Sequence, residues 1–151
     1  MPTTGEKAPD FKLKSTLDKE VSLADYKGEK NVVLVFYPLD FSPTCSMQLP
    51  EYSSHKSDFE SRDAEVLGVN RDSVYAHKAW AKEFGIELPL LADMTGEAAK
   101  AYDVYMPEAG ISKRAVFIID KEGVLRFQHV ENSPGDFTLH ADGILAELDK
   151  L

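Results

Sequence analysis

The single cysteine of this sequence lies among residue types that can activate a thiol. Cys45 falls within residues 38–50 (PLDFSPTCSMQLP), after a hydrophobic run and before a helical pattern. Backbone N–H groups in the first turn of a helix have no helical partner and favour a thiolate over a thiol. Pro43 makes the entry into that helix rigid. We therefore interpret Cys45 as a candidate nucleophile rather than as a small buried hydrophobic residue.

Other kinds of cysteine chemistry fit the sequence less well. A thiol–disulfide oxidoreductase normally uses Cys-x-x-Cys, whereas residues 42–45 of this chain read SPTC. A Cys–His hydrolase needs a histidine beside the thiol, and His55 lies far along the same predicted helix, although a histidine remote in sequence stays open. None of the four histidines has metal-ligand spacing. We expect neither a metal nor an organic cofactor.

Length, composition and charge indicate one globular domain. The 151 residues fit a single domain, 1–151, of which 43% are hydrophobic and 28% charged. The formal net charge of −9 repels the phosphate backbone of nucleic acids. No apolar run approaches the ~20 residues that span a membrane, and the polar N-terminus does not resemble a signal peptide. One cysteine suits a reducing compartment. We expect a cytoplasmic domain with neither a nucleic-acid nor a membrane partner.

The first half of the chain is predicted to alternate between strands and a helix. Alternating residues on either side of residues 18–19 predict an N-terminal hairpin. The runs at residues 31–37 (NVVLVFY) and 64–70 (AEVLGVN) predict strands buried on both faces. Between them we expect a helix from residue 43 to residue 61 or 62. Pro50 should kink or break this helix just after the cysteine.

The second half is predicted to contain further helices and a pair of strands. Residues 73–84 should form a helix that begins at a serine cap and ends before a glycine. A short helix is expected at about residues 95–102. Strands at residues 114–120 and 124–130 should form a hairpin. The final helix is predicted from an apolar face made of Phe137, Ile144, Leu145, Leu148 and Leu151.

This order of elements predicts an α/β domain of thioredoxin-like fold. Two consecutive strands joined through a helix must run parallel with a right-handed crossover, and the later hairpin adds an antiparallel pair. The expected result is a central mixed β-sheet flanked by helices, with an N-terminal β-hairpin. Cys45 then lies past the carboxyl end of a central strand, where reactive groups gather in open α/β sheets.

The spacing Pro38-x-x-x-Ser42-x-x-Cys45 resembles the signature of the peroxiredoxin family around its peroxidatic cysteine. Serine stands here where threonine is usual in the family. Gln48 occupies a position where many members have glutamate, and Pro50 a position where some have a second cysteine. Because the chain contains no other cysteine, an intrachain resolving disulfide cannot form.

Three later segments are similar to family segments in the same order. They are residues 77–80 (HKAW), 88–93 (LPLLAD) and 113–120 (KRAVFIID), the last resembling the segment that supplies the active-site arginine. The likeness runs from about Gly5 to the C-terminus. It is nearest to one-cysteine members of the AhpC/TSA family of the alkyl hydroperoxide reductase E type.

The resemblance implies a thiol-dependent peroxidase for hydrogen peroxide or organic hydroperoxides. Cys45 would attack a peroxide oxygen and become a sulfenic acid. Arg114 would favour the thiolate and donate hydrogen bonds to the peroxide. Ser42 would contact the sulfur and one peroxide oxygen, and Pro38 would shield the sulfur from bulk water.

The same reasoning gives the expected partners and an alternative. With one cysteine, an external thiol or redoxin must reduce the sulfenic acid. The resemblance also implies a homodimer packed near the active-site loops. The alternative is a non-catalytic binding module or a redox-controlled chaperone of the same fold, which would not need Ser42, Cys45 and Arg114 together.

Overall fold

A mixed β-sheet forms the centre of the computed structural model, which describes residues Met1–Leu151. In chain order the strands are β1 (Lys12–Ser15), β2 (Glu20–Ser22), β3 (Asn31–Phe36), β4 (Ala64–Asn70), β5 (Leu90–Ala92), β6 (Tyr105–Met106), β7 (Ile111–Ser112), β8 (Ala115–Ile119) and β9 (Leu125–Val130). Seven of them make the central sheet, in the order β2-β1-β5-β4-β3-β8-β9, while β6 and β7 pair separately.

Helices cover the sheet and connect its strands. In chain order they are α1 (Cys45–Ser54), α2 (Lys56–Glu60), α3 (Val74–Phe84), α4 (Glu97–Ala101) and α5 (Ala141–Leu148), with a 3₁₀ turn at Leu23–Tyr26. None of these helices has the length and apolar character needed to cross a lipid bilayer.

The central strand β3 has one parallel and one antiparallel neighbour. It runs parallel to β4, from the pair Asn31–Ala64 onward, and antiparallel to β8. The hairpins β1–β2 and β8–β9 are antiparallel. These pairings confirm the predicted thioredoxin-like plan, including the N-terminal hairpin.

Apolar side chains cover both faces of the sheet. Val33 and Val35 of β3 belong to the core cluster that contains Cys45 and Trp80, whereas Leu34 belongs to the cluster on the opposite face. Since successive side chains of a strand point to opposite faces, a strand covered on both sides is apolar at every position. This explains the uninterrupted run in the sequence.

The helix α3 has the two end signals that the sequence predicted. The Ser73 side chain accepts a hydrogen bond from the Ala76 N–H, so it caps the first turn. Gly85 follows the last residue with φ of 67°, in the left-handed region that glycine adopts without strain.

The structure corrects the predicted helix that carries the cysteine. α1 does not break just after Cys45 but continues through Pro50, and the interruption comes at His55, before α2. Pro50 has no N–H group, so α1 lacks one backbone hydrogen bond. Tertiary contacts on both sides of the proline hold the helix in place. Gln48 contacts Arg114 on one side of the proline, and Tyr52 contacts a carbonyl on the other.

Three further differences concern short elements. Strand β5 was not predicted, because three residues after Pro89 give too little pattern, yet it fills the sheet between β1 and β4. The two-residue strands β6 and β7 were also missed. The final helix is shorter than expected, with Phe137 and Leu151 lying outside α5.

Candidate active site

Cys45 is the first residue of α1 and lies where the loop after β3 enters that helix. Its side chain is fully buried, with 0% of its surface exposed, in the core layer that contains Leu49 and Trp80. The Ser46 N–H donates to the Ser42 carbonyl over 2.9 Å, which fixes the start of the helix. The candidate nucleophile therefore lies at the carboxyl edge of the central strand, as predicted.

Arg114 directly precedes strand β8, which neighbours β3, and its guanidinium reaches the sulfur of Cys45. Its Nη1 lies 3.3 Å from Sγ of Cys45. Nε and Nη2 both donate to the Pro134 carbonyl, at 3.1 and 2.7 Å. Arg114 is only 2% exposed, and none of its hydrogen-bond acceptors is a carboxylate. The guanidinium therefore has only neutral oxygens and the sulfur of Cys45 as hydrogen-bond partners.

Gln48 fixes the guanidinium from the same helix as the cysteine. Its Oε1 accepts from Nη1 of Arg114 at 2.6 Å, and its Nε2 donates to the Tyr52 hydroxyl at 3.1 Å. That hydroxyl donates in turn to the Leu139 carbonyl at 2.6 Å. Burial raises the pKa of Tyr52, so its hydroxyl remains a donor. The chain of hydrogen bonds connects α1, the start of β8 and the segment before α5.

Sequence reasoning did not assign these roles to Gln48 and Tyr52. The available signal was their spacing from Cys45, three and seven residues along the helix, which places all three on one helical face. Gln48 is 1% exposed and Tyr52 0%. A polar residue on a buried helical face is expected to have a specific partner.

Glu131 orders the loop that supplies the Pro134 carbonyl. Its carboxylate accepts from the Thr138 N–H at 2.8 Å and from the Thr138 hydroxyl, and lies 3.1 Å from Nε2 of His129. Burial by itself raises the pKa of Glu131, but the hydrogen bonds from Thr138 and His129 outweigh burial, and the pKa lies below its ordinary value. The loop is therefore held by a buried anion.

Ser42 and Pro38 occupy the loop between β3 and the cysteine. The Ser42 hydroxyl donates to the Leu39 carbonyl at 2.8 Å, and the side chain that hydrogen bonds to Sγ is that of Arg114. The predicted contact between Ser42 and the sulfur is therefore not a hydrogen bond in this structure. Pro38 is buried, two residues after the end of β3. Its shielding of the sulfur stays a prediction.

The side chain that hydrogen bonds to the sulfur is an arginine, and the histidines have other partners. His77 is buried against Asp40, and His55 forms a surface pair with Asp58. No group of three or more His, Cys, Asp or Glu side chains converges in a way that could hold a metal ion. The contact between His77 and Asp40 was not anticipated, because no sequence pattern joins two residues so far apart along the chain.

Comparison with known proteins places this chain in a family. The model of the AhpC/TSA family matches residues 4–128. The chain belongs to that family. It is 37% identical over 138 residues to alkyl hydroperoxide reductase E of Mycobacterium bovis, which covers 90% of each chain. A crystal structure of Enterococcus faecalis AhpC superposes with a TM-score of 0.90 at 31% identity, covering 99% of this chain and 92% of that one.

Longer AhpC/TSA relatives also match. The chloroplastic 2-Cys peroxiredoxin BAS1 of Hordeum vulgare is 41% identical over 142 residues, which cover 87% of this chain and 68% of that protein. The chain spans 54% and 53% of the corresponding proteins of Spinacia oleracea and Arabidopsis thaliana. Those proteins are named for two cysteines, whereas these 151 residues contain one. The membership in a peroxiredoxin family and the one-cysteine character agree with the resemblance carried by the signature.

Proposed function

We propose that the chain reduces hydrogen peroxide or organic hydroperoxides with Cys45 as the nucleophile. The thiolate sulfur forms a bond to one peroxide oxygen, and the O–O bond breaks with its electron pair moving to the other oxygen. That oxygen leaves as hydroxide or alkoxide and takes a proton to become water or an alcohol. Cys45 is oxidised to a sulfenic acid while the peroxide is reduced.

The observation that carries this proposal is the 3.3 Å contact between Arg114 and Cys45, both buried, with no carboxylate on the guanidinium. A permanent cation taken out of water needs a compensating anion. The thiolate supplies that charge. The non-catalytic alternative is not favoured, because a binding module has no need for a buried arginine directed at a lone thiol.

Stabilising the thiolate is not sufficient for fast reaction. For any cysteine, a pKa of about 6 in place of about 8.5 raises the thiolate fraction at neutral pH roughly thirtyfold. The accompanying fall in nucleophilicity is roughly tenfold, so the two effects nearly cancel. The remaining acceleration must come from groups that stabilise the transition state, in which charge moves onto both peroxide oxygens. The fixed guanidinium of Arg114 is suited to that role.

Ser42 is suited to accept the hydrogen of the peroxide. Its own hydroxyl hydrogen is engaged by the Leu39 carbonyl at 2.8 Å, which leaves the lone pairs of Oγ as acceptors. Pro38 is buried and has no N–H group, so it adds no competing donor beside the site. These roles, with the first-turn amides of α1 as further donors, complete the proposed constellation.

The proposed reductant is an external thiol or a redoxin. No second cysteine in these 151 residues can condense with the sulfenic acid of Cys45. A thiol must therefore form a mixed disulfide on Cys45, which a second thiol then releases. Because the sulfur is 0% exposed, the first turn of α1 has to loosen before a bulky thiol can reach it.

Intact mass after peroxide treatment tests this cycle. With peroxide alone we expect a gain of two oxygens on Cys45, the mass of a sulfinic acid, because no thiol competes with further oxidation. With a low-molecular-weight thiol present we expect the thiol adduct instead. Non-reducing gels should show little covalent dimer in either case. A dominant Cys45–Cys45 dimer that thioredoxin reduces would contradict the one-cysteine cycle, and an unchanged mass would contradict the peroxidase proposal.

We also propose a homodimer that packs near the active-site loop. Phe41, which is 50% exposed, contacts Phe84 edge to face with ring centroids 6.3 Å apart. Leu39 and Met47 are also exposed, so apolar side chains flank the site without cover. Phe41→Asp should yield monomers by analytical ultracentrifugation, whereas Leu151→Asp, at the surface beside Asn31 at the start of β3, should not. A wild-type monomer at all concentrations would contradict the dimer.

A cytoplasmic location is proposed on chemical grounds. A cycle that depends on external thiols needs a reducing compartment, and one cysteine without a disulfide framework is typical of such compartments. Fractionation of the source cells with an antibody against the chain tests this proposal. Recovery of the chain in an oxidising compartment would contradict it.

A further inference from the structure

Asp40, in the loop between β3 and Cys45, is held by a buried set of polar groups. Its Oδ1 accepts from the Tyr37 hydroxyl at 2.8 Å and from Nδ2 of Asn70 at 3.1 Å. Its Oδ2 lies 2.6 Å from Nδ1 of His77. The side chain of Asp40 is 1% exposed and that of His77 0%. Burial, and then the charge of Asp40, raise the pKa of Tyr37, so its hydroxyl stays protonated and donates.

Both ring nitrogens of His77 face oxygen atoms that accept hydrogen bonds. Nδ1 faces the Asp40 carboxylate, and Nε2 lies 3.0 Å from the Leu91 carbonyl. The ring is therefore held at both nitrogens, and the contact between Nδ1 and Oδ2 joins the two side chains in a buried hydrogen-bonded pair. His77 belongs to α3 and Leu91 to β5, so the pair ties the loop to two elements of the scaffold.

The residue that follows Asp40 has an unfavourable backbone conformation. Phe41 has φ of 65°, in the left-handed region that bulky side chains rarely occupy. Such a conformation persists only when surrounding contacts hold it. The contacts on one side of Phe41 are those of Asp40, including its backbone N–H, which donates to Asp72 at 2.8 Å. On the other side, the Ser42 carbonyl accepts from the Ser46 N–H.

We propose that the hydrogen-bonded pair of Asp40 and His77 is a positioning device for the peroxide reaction. It anchors the loop of residues 38–44 so that Ser42 and the first turn of α1 keep their places beside Cys45. Neither side chain hydrogen bonds to the sulfur, so both are positioning residues rather than catalytic ones. The inference rests on the proposed peroxidase function, which it extends to residues outside the site itself.

Two substitutions of His77 each remove one of its two hydrogen bonds. His77→Asn places an amide near the position of Nδ1, so it keeps the bond to Asp40 and loses the one to Leu91. His77→Gln places its amide near the position of Nε2, so it keeps the bond to Leu91 and leaves the Asp40 oxygen unpaired.

If His77 has a role in stability alone, the two substitutions should have similar effects. Positioning of the loop predicts that only the glutamine variant is defective in the reaction. His55→Gln, on the surface, serves as the control.

The first measurement is the second-order rate with hydrogen peroxide, at a temperature where all variants are folded. We expect His77→Gln to lose at least ~10-fold in rate and His77→Asn to stay within about threefold of wild type, since small displacements at a reacting centre have effects of this order or larger. Ultraviolet thiolate absorbance should be equal in all of them. Equal rates of both variants, or equal losses in both, would overturn the proposal.

The second measurement does not depend on activity. Hydrogen exchange of the peptide that covers residues 38–47 should be faster in His77→Gln than in His77→Asn by at least about tenfold. An inactive wild-type protein would contradict the peroxidase function, and the exchange rates would still decide whether the pair anchors the loop. Equal exchange in the two variants would overturn the anchoring.

A second pair of variants covers failure of the His77 variants to fold. Asp40→Asn keeps the size of the side chain and an oxygen that can accept from Tyr37. It should therefore retain most of the wild-type rate with peroxide, unlike Asp40→Ala. The alanine variant should lose at least ~10-fold in rate and exchange faster over residues 38–47. Identical behaviour of the asparagine and alanine variants would overturn the proposal.

Discussion

At the scale of single residues, the site depends on a buried guanidinium that contacts the Cys45 sulfur and no carboxylate. Arg114 is held on two sides, by the Gln48 amide oxygen at 2.6 Å and by the Pro134 carbonyl. Because these acceptors are neutral, they orient the fork without cancelling its charge. The positive charge of the guanidinium remains available to the sulfur. It is also available to a peroxide that takes the place of the sulfur as its hydrogen-bond partner.

Arg114→Lys tests whether the fork matters beyond its charge. Lysine cannot donate to Gln48, Pro134 and the sulfur at once in fixed directions. We expect the peroxide rate to fall about 100-fold or more, as when one preorganised donor is removed from an active site. Stopped-flow kinetics with parallel thiolate absorbance measure both effects.

The control for this variant is Arg126→Lys, since Arg126 forms a half-exposed pair with Asp120. It should leave the rate unchanged. If the rate of Arg114→Lys falls only in proportion to its thiolate fraction, Arg114 does not stabilise the transition state.

Ser42 allows a second test at this scale. Ser42→Thr keeps the hydroxyl in a stiffer side chain and should be as active as wild type or more so. Ser42→Ala removes the acceptor for the peroxide hydrogen and should be slower by about 10-fold or more. Peroxide kinetics of both variants decide the matter. Equal rates for alanine and threonine would show that the hydroxyl has no part in the reaction.

At the scale of elements, α1 must both hold the nucleophile and release it. Cys45 is buried in the first turn of that helix, yet the mixed disulfide requires a thiol to reach it. Pro50 lies inside the same helix and removes one backbone hydrogen bond, to Ser46. The missing bond weakens the turn that has to open, without breaking the helix when Gln48 and Tyr52 are in place.

Pro50→Ala restores the missing N–H group. We expect the free energy of unfolding to rise by up to about 3 kcal/mol and the thiol-dependent reduction of oxidised Cys45 to slow several-fold. The rate with peroxide should change less than the thiol step, because a peroxide is smaller than the thiol and needs a smaller opening of the helix to reach the buried sulfur. Slower reduction should also increase the fraction of sulfinic acid found by intact mass. An accelerated thiol step in Pro50→Ala would contradict this role of the helix.

The loop that supplies the Pro134 carbonyl depends on the charge of Glu131. Its pKa is lowered in the folded state, so its contribution to stability is present above the ordinary pKa of about 4.3 and is lost as the pH falls through the lower folded value. Glu131→Gln should therefore reduce the stability at neutral pH by about 1–2 kcal/mol. The difference in thermal unfolding between the two proteins should shrink as the pH falls below about 4.3 and vanish below the lowered pKa of the folded state. A difference that stays constant down to about pH 3 would contradict the linkage.

At the scale of the whole molecule, the sequence predicts most of what positions the cysteine. The long strands β3 and β4 contain continuous runs without a polar side chain, at residues 32–36 and 66–69, and the sequence of α3 carries a capping residue at each end. Short strands such as Leu90–Ala92 escape prediction, because their pairing comes from neighbours in the sheet rather than from their own three residues.

The active site likewise contains a residue that the sequence predicts and contacts that it does not. Cys45 is predictable because a single thiol at a strand–helix junction has a local explanation. The contacts of Gln48 with Arg114, and of Asp40 with His77, join residues 66 and 37 positions apart. No local pattern gives such pairs, and only the packing of α1, α3 and β8 brings them together.

The central claim is that Cys45 is the nucleophile that reduces peroxide, and its most direct test is peroxide consumption by wild type and by Cys45→Ser in the presence of a small thiol. The substitution is nearly isosteric and should leave the fold intact, which circular dichroism checks. We predict sustained turnover by the wild-type protein and only the background rate of the free thiol with Cys45→Ser. Consumption of peroxide by the serine variant at a rate similar to wild type would contradict the account.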